Sequence, residues 1–298
     1  MPEDESKEQK PAAKAKNKKL QQIMFWVIVT VLVAIIIWCL SQIIYKVVTD
    51  AQDKKEYDKL EASKAAATTG PRPTDYTYST TPTRPTNTLP GSIGGNNGQD
   101  VDIPGLENMI REYQLMYTLN NDMVGWIEVP GTAINYPVVQ SLYQNDFYLR
   151  RNFYKEKATC GAIYVRESCD ISKPSDNVTI YGHNMANGTM FGPLHDYKEK
   201  SFWEENRYVY FDTLYEYHTY EIFAVFRTSA AVGEGFTYHL FEDATDEADF
   251  DNFVSECKSL SFYDTGITPE YGQKLITLST CDRAIEDGRL VVVARRIM

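Results

Sequence analysis

The stretch Thr277-Leu-Ser-Thr-Cys281, followed eight residues later by Arg289, decides how this chain is interpreted. Residues 274–279 alternate apolar and β-branched side chains, and residues 289–295 are rich in valine, so each range predicts a strand. Cys281 then ends one strand and Arg289 begins the next. If the two strands pair antiparallel, the thiol and the guanidinium come within reach of one site.

A cation beside a thiol favours the thiolate, which is the nucleophilic form of cysteine. The same cation can bind an oxyanion that develops during acyl transfer. Cys281 and Arg289 therefore predict a nucleophilic site at the strand ends. The alternative for Cys281 is a buried thiol that packs as a small hydrophobic residue. A partner base is needed to decide between the two interpretations.

The candidate base is His183, in the sequence Tyr181-Gly-His-Asn184 at the end of an apolar strand predicted over residues 178–181. Strand-end loops display catalytic groups on a rigid scaffold, and histidine exchanges protons near neutral pH. A structural histidine is the alternative for His183. A structural or surface role is predicted for the three remaining histidines of the chain, which are His195, His218 and His239.

The two motifs and the arginine together indicate a protein family more specifically than any one of these features does alone. The chain closely resembles the sortase family, and within it class B, in the order of three features. They are Tyr-Gly-His-Asn, then after about a hundred residues Thr-Leu-Ser-Thr-Cys, then an arginine ahead of a valine-rich terminal strand. The resemblance covers residues 106–298 and includes a membrane-anchored N-terminus. It implies that Cys281 is the nucleophile, His183 the general acid and base, and Arg289 the essential arginine.

Residues beside the implied catalytic groups are candidates for substrate binding. They are Asn184, Ser279, Thr280 and Asp282. Some class B members also carry an acid directly after the cysteine. A solvated loop carboxylate is nevertheless the interpretation that we favour for Asp282.

The fold class predicted for the C-terminal part is mainly β. Eight short strands separated by turn signals suggest a closed barrel, and the resemblance implies an eight-stranded sortase-type β-barrel with peripheral helices. The predicted strands are residues 124–129, 134–139, 161–165, 178–181, 208–212, 217–227, 274–279 and 289–295.

Two helices are predicted from apolar residues at helical spacing, over residues 106–117 and 246–260. Acidic residues crowd the first turn of the second helix, as the helix dipole favours. This helix lies between the sixth and seventh strands, where class B sortases carry a helix that lines their substrate groove. A packing helix without substrate contact is the alternative.

The N-terminal part predicts a membrane anchor. Residues 23–40 carry no charge, and with the extension to residue 44 they reach the roughly 20 residues that cross a bilayer. A cleaved signal peptide is the rival interpretation, although no small-residue cleavage site follows. Lysines precede the span, so the positive-inside rule puts the N-terminus in the cytoplasm and the catalytic part outside the plasma membrane.

The predicted organisation has four parts. They are a cytoplasmic lysine-rich tail over residues 1–22, a transmembrane helix over 23–44, an extracellular linker over 45–104 and the catalytic domain over 105–298. Within the linker, residues 50–67 favour a helical continuation of the span. From about residue 68 the linker is rich in Pro, Thr and Gly, which predicts a flexible tether. It is either a spacer or a recognition segment.

Charge and cysteine content narrow the possible partners. The formal net charge is −11, and because residues 1–46 carry +3 (seven lysines, four acids), the rest of the chain carries −14. This acidic part argues against nucleic acid or anionic lipid as a partner. Five cysteines do not make a disulfide framework in a chain of this length, and a bond between Cys160 and Cys169 is not expected. No spacing of Cys or His fits zinc. No metal or cofactor is predicted.

The function implied by the resemblance is a membrane-anchored cysteine transpeptidase. Its first partner is a secreted protein with a C-terminal sorting signal, cleaved at a Thr-Gly or similar bond. Its second is an amine acceptor, such as a peptidoglycan stem peptide or a pilin lysine. Cysteine and histidine alone describe a cysteine endopeptidase equally well. The sequence is also compatible with a pilin-polymerising enzyme and, less readily, with an inactive surface-binding module.

Overall fold

The computed structural model describes residues 10–68, 70, 105–231 and 233–298. The chain divides into two compact units, residues 1–52 and residues 53–298, and each is described by itself. The first nine residues of the predicted cytoplasmic tail lie outside the described part. So does nearly all of the predicted Pro/Thr/Gly-rich tether, which therefore stays a prediction.

The apolar run lies in a single helix, α1 (Lys10–Ala67). Among the described residues it is the one helix long and apolar enough to cross a membrane. Hydroxyl groups within the run donate to carbonyls of the preceding turn, Thr30 to Trp26 at 2.8 Å and Ser41 to Trp38 at 2.7 Å. These polar groups are thus satisfied inside the helix, as a hydrocarbon environment requires.

Eight strands form the second unit, and they match the eight predicted from the sequence. They are β1 (Met123–Val129), β2 (Ile134–Val139), β3 (Ile163–Val165), β4 (Asn177–Tyr181), β5 (Tyr208–Thr213), β6 (Thr219–Ser229), β7 (Leu275–Cys281) and β8 (Gly288–Arg296). The strands close into a barrel in the order β1-β2-β3-β4-β7-β8-β6-β5. The predicted fold class is confirmed.

Strand β8 shows how the barrel divides two hydrophobic cores. Leu290, Val292 and Ala294 face the main core, whereas Val291 and Val293 face a second core on the opposite side of the strand. This alternation follows from the two-residue period of a strand. Because both faces are covered there, the middle of the strand, residues 290–294, is apolar at every position, as buried strands are.

The second core is closed by helix α4 (Glu247–Leu260), which agrees with the helix predicted over residues 246–260. Its buried stripe consists of Phe250, Phe253, Val254 and Cys257. Asp246 caps the helix, because its carboxylate accepts a hydrogen bond of 2.9 Å from the backbone N–H of Asp249. The remaining short helices are α2 (Arg111–Leu119), α3 (Lys200–Glu205) and the 3₁₀ helices Phe147–Arg150, Gly192–Lys198 and Tyr238–Leu240.

The predicted helix over residues 106–117 begins later than expected, at Arg111. The backbone N–H of Ile110 donates to the carbonyl of Leu214 at 2.8 Å and so cannot serve a helical bond. The side chain of Gln114 donates to the carbonyls of Leu106 and Met109 at 3.0 and 3.2 Å. Long-range and side-chain bonds therefore replace the first helical turn.

The last part of α1, residues 53–67, is packed on the barrel and is not a linker. Tyr57 and Leu60 are only 5% and 2% exposed. The hydroxyl of Tyr57 donates to the carbonyl of Gly161 at 2.9 Å, and the ammonium of Lys64 lies 4.9 Å from the ring centroid of Trp126.

The predicted linker over residues 45–104 is therefore wrong for residues 53–67, although the expected helical continuation is present. Tyr57, Leu60 and Lys64 recur at the spacing of one helix face. That short stripe is the signal that the charged, alanine-rich composition of the segment obscures.

Leu60→Ala should lower the free energy of unfolding of residues 53–298 by about 2–5 kcal/mol, the usual cost of a cavity in a packed core. Urea denaturation of the full chain in detergent, followed by tryptophan fluorescence, measures the change. Leu115→Ala is the matched control, because Leu115 is 54% exposed and should change stability by only about 0.5 kcal/mol. Equal effects in the two variants would contradict the docking of residues 53–67.

Candidate active site

Parallel pairing of β4 and β7 brings His183 and Cys281 to one rim of the barrel. The strands run in register from Asn177 opposite Leu275 to Tyr181 opposite Ser279. His183 lies two residues beyond Tyr181, and Cys281 lies two residues beyond Ser279. The backbone N–H of Gly182 continues the ladder with a bond of 3.2 Å to the carbonyl of Ser279, so the two chains leave the sheet side by side.

Antiparallel pairing of β7 and β8 adds the third candidate. Arg289 is the register partner of Cys281, next to the turn that connects the two strands. The strand pairing expected from the sequence is therefore present, and the three predicted catalytic residues lie at one rim.

Cys281 differs from the remaining thiols of its unit. Of the four cysteines in residues 53–298, all of which the structure describes, Cys281 alone is exposed. Burial raises the pKa of Cys169 to about 11 and raises that of Cys257 well above its usual range. These two thiols remain protonated at neutral pH. The description of a buried, inert cysteine thus fits them and not Cys281.

His183 is oriented by a backbone carbonyl. Its Nε2 lies 2.7 Å from the carbonyl oxygen of Leu149, in the 3₁₀ helix Phe147–Arg150. Because a carbonyl oxygen only accepts, Nε2 carries the proton in this contact. The second ring nitrogen, Nδ1, is left for proton exchange.

The guanidinium of Arg289 is held by its own turn. One terminal nitrogen donates to the carbonyls of Asp287 and Gly288, at 3.2 and 3.0 Å. In the described ranges no carboxylate forms a salt bridge with Arg289. Its charge and its remaining donors are therefore not neutralised by a fixed anion.

Asn184, predicted to bind substrate, contacts the backbone of the candidate nucleophile instead. Its side-chain amide donates to the carbonyl of Cys281 at 3.0 Å. Nε2 of His195 lies 3.1 Å from the same oxygen, which the structural or surface role predicted for His195 did not anticipate.

Asp282 is a buried ion-pair residue, and its interpretation as a solvated loop carboxylate is wrong. Its side chain is 3% exposed and lies 2.6 Å from Nε of Arg227 and 3.0 Å from Nζ of Lys198. Burial raises its pKa, but hydrogen bonds from Arg227, Lys198 and the backbone N–H of Ala284 outweigh burial and lower the pKa to about 2. The carboxylate is engaged by these partners and is not presented to a substrate.

Ser279 and Thr280, also predicted to bind substrate, have side chains that are covered. The two residues are 1% and 2% exposed. The hydroxyl of Ser279 lies 2.7 Å from the hydroxyl of Tyr238. Both residues belong to β7, a strand between two neighbours, so their side chains pack in the fold and offer no surface to a bound peptide.

The groups that sequence reasoning missed at this rim are the carbonyl of Leu149, His195 and the two cations beside Asp282. A carbonyl carries no residue signature. The spacing of His195 and Lys198 matches one face of a 3₁₀ helix, but nothing local indicates what that face contacts. Among the described residues no group of three His, Cys, Asp or Glu side chains is arranged to hold a metal ion.

Comparison with known proteins gives one consistent result. The sortase domain family model matches residues 127–297. Sortase B of Staphylococcus aureus (strain NCTC 8325 / PS 47) is 30% identical over 193 residues, which cover 64% of this chain and 77% of that protein. Sortase B of Listeria monocytogenes is 32% identical over 188 residues, covering 62% and 74%.

Solved structures agree with the sequence relatives. The Staphylococcus aureus sortase B–substrate complex matches with a TM-score of 0.65 and 25% identity, covering 84% of this chain and 98% of that chain. A Bacillus anthracis protein similar to sortase B matches with a TM-score of 0.57 and 33% identity, covering 63% and 83%. This chain belongs to the sortase family. Its relatives place it in class B, whose members are cysteine transpeptidases that act on surface proteins.

Asp282→Asn should lower the free energy of unfolding by about 2–3 kcal/mol at pH 7. The carboxyl pKa is about 2 in the folded protein, against about 3.9 in an unfolded chain. Because only the ionised form is stabilised, the contribution is complete above about pH 4 and is lost as the pH falls toward 2.

Denaturant titrations of both proteins between pH 2 and pH 7 measure this difference. Asp251→Asn, which neutralises an exposed carboxylate on α4, is the control and should show no comparable dependence on pH. If the difference in the free energy of unfolding between the parent and Asp282→Asn stays constant down to pH 2, the ion-pair assignment is contradicted.

Proposed function

We propose that this class B sortase cleaves a C-terminal sorting signal at a Thr-Gly or similar bond and transfers the acyl group to an amine of the cell wall. The observation that carries the proposal is the meeting of Cys281, His183 and Arg289 at one rim, fixed by the registers of β4, β7 and β8. The Staphylococcus aureus relative of known structure is a complex with substrate, which supports binding of a substrate by this fold.

The first half-reaction follows from the atoms at the rim. The thiol of Cys281 transfers its proton to Nδ1 of His183, and the thiolate attacks the threonine carbonyl carbon. Arg289 donates hydrogen bonds to the oxyanion that forms. The imidazolium of His183 then protonates the leaving amine, the C–N bond breaks and a thioester remains on Cys281.

The second half-reaction regenerates the enzyme. An acceptor amine attacks the thioester carbonyl, His183 takes the proton that the amine loses, and the thiolate of Cys281 leaves. The acceptor class is an amine of a peptidoglycan stem peptide. Membership of the transpeptidase family supports an amine in place of water.

Ligation assays test this function. The full chain in detergent, given a labelled Thr-Gly sorting peptide and an amine acceptor, should form the amide product faster than the hydrolysed peptide. Cys281→Ala should abolish product and thioester, whereas Cys169→Ala, at a buried thiol, should retain the chemistry.

Three results would contradict the proposal. Substantial turnover by Cys281→Ala would remove Cys281 from the nucleophile role. Hydrolysis that saturating amine does not suppress would indicate an endopeptidase, and a preference for a pilin lysine over a stem peptide would indicate pilus assembly.

Arg289→Lys should lower the rate of acylation by about 10²–10³, the usual cost of a lost oxyanion donor. A lysine keeps the charge but lacks the planar fork of donors that allows two hydrogen bonds at once. Single-turnover acylation measures the rate, and thermal melting checks the fold. Arg283→Lys, an exposed arginine of the same turn, is the control. Near-normal acylation by Arg289→Lys would leave only a through-space electrostatic role.

We also propose that α1 anchors the enzyme in the plasma membrane with residues 53–298 outside the cell. The lysines ahead of the apolar run and its length support this orientation. Protease added to intact protoplasts should remove the catalytic domain. A protected domain would show the opposite orientation, and a mature N-terminus after residue 44 would show a cleaved signal.

A further inference from the structure

A triangle of polar atoms lies directly behind the candidate nucleophile. The carbonyl oxygen of Cys281, Nδ2 of Asn184 and Nε2 of His195 are its corners. The oxygen is 3.0 Å from the Asn184 nitrogen and 3.1 Å from the His195 nitrogen, and the two nitrogens are 2.9 Å apart. His195 thus reaches the peptide group of the proposed nucleophile without using the thiol.

Each neutral tautomer of His195 makes one of the two Nε2 contacts a hydrogen bond. With the proton on Nε2, His195 and Asn184 both donate to the carbonyl oxygen of Cys281, which has two lone pairs. With the proton on Nδ1, Nε2 accepts from the amide of Asn184, and that amide donates its second hydrogen to Cys281. In the first state Nε2 itself holds the Cys281 carbonyl, and in the second state it orients the amide that holds this carbonyl.

The 3₁₀ helix Gly192–Lys198 carries this histidine to the site. Residues three apart on such a helix share a face, so Lys198 points the same way and pairs with Asp282 at 3.0 Å. Immediately before the helix, the backbone N–H of Phe191 donates to the carbonyl of His183 at 3.0 Å. One short helix is therefore tied to both the His183 loop and the turn that follows Cys281.

His195 acts as a neutral group in this network. Burial lowers its pKa, and the nearby charges of Lys198 and Arg227 lower it further, while the Cys281 carbonyl and the carboxylate of Asp282 work in the opposite direction. The net direction is downward from its usual value near 6.5. Hydrogen bonding, and not charge, is what this side chain contributes at neutral pH.

We propose that His195 is a positioning residue for Cys281: through its Nε2, together with Asn184, it holds the Cys281 carbonyl so that the thiol stays beside Arg289. The inference rests on the proposed function for the identity of the nucleophile. It adds a second histidine to the site, with a role distinct from proton transfer.

Two amide substitutions separate this role from acid–base chemistry and from simple packing. In His195→Gln the terminal nitrogen lies as many bonds from Cβ as Nε2 of histidine does, so it can donate to Cys281 or, after a flip of the amide, accept from Asn184. In His195→Asn the same chemical group is one carbon too short. Neither amide exchanges a proton near neutral pH.

Acylation by the full chain with a Thr-Gly peptide is the first measurement. His195→Asn should lower kcat about 3- to 10-fold with KM unchanged, the range expected for one lost hydrogen bond. His195→Gln should restore most of that loss. Rates equal to that of the parent in both variants would overturn the inference. So would a His195→Gln enzyme as slow as His195→Asn, because that result would require the imidazole itself.

Alkylation of Cys281 by iodoacetamide is the second measurement, and it needs no sortase substrate. A Cys39→Ala background leaves Cys281 as the exposed thiol of the chain. The rate at pH 7 should change about 3-fold or more in His195→Asn and return to the parent value in His195→Gln, because the alkylation rate follows the position and exposure of the thiol. Equal alkylation rates in folded Asn and Gln variants would also overturn the inference.

The two measurements separate the inference from the proposed function. If the alkylation rate changes in His195→Asn and is restored in His195→Gln, but the parent does not ligate, the proposed function is contradicted and His195 remains the positioning residue. If the parent ligates but both variants are alkylated at the same rate, the proposed function is kept and the positioning role of His195 is contradicted. Should His195→Asn fail to fold, His195→Leu fills a similar volume without a polar atom and is expected to give the same loss.

Discussion

The in-register parallel pairing of β4 with β7 is the constraint on which the site depends. Parallel partners advance together, so His183 and Cys281, each two residues beyond the last register pair Tyr181–Ser279, emerge side by side. The hydroxyl of Thr277 donates to the side-chain carbonyl of Asn177 at 2.8 Å inside this pair and helps to fix the register. A slip of one residue would move one group by about 3.3 Å and turn it to the opposite face.

The ion pairs of Asp282 solve an electrostatic problem created by its position. A carboxylate directly after the proposed nucleophile disfavours the thiolate, because like charges repel. Arg227 and Lys198 lie within 3.0 Å of that carboxylate and supply two positive charges against one negative charge. The turn after Cys281 is thereby anchored in the fold and the negative charge of Asp282 is offset, with Arg289 as a further cation after the turn.

Local patterns were sufficient for the barrel and for the three proposed catalytic residues, because strand alternation and the Cys281–Arg289 spacing are written in short stretches. They were insufficient where a role depends on a distant partner. Asp282 resembles a loop carboxylate until Arg227 and Lys198 are in place, and His195 lies 86 residues from the carbonyl that it contacts. Ser279 was a candidate for substrate binding because it lies beside the proposed catalytic groups in the sequence, although its side chain in β7 is covered.

The segment that follows the apolar run and the loop that orients His183 meet at one glycine. Gly161 has a positive φ of 60°, and a Cβ there would lie 2.6 Å from the carbonyl oxygen of Leu149. That oxygen is the one that accepts from His183, while the carbonyl of Gly161 accepts from Tyr57. Only glycine permits this close approach of the backbone. Residues 53–67 are therefore part of the structure that supports the proposed general base, and the catalytic domain begins within α1.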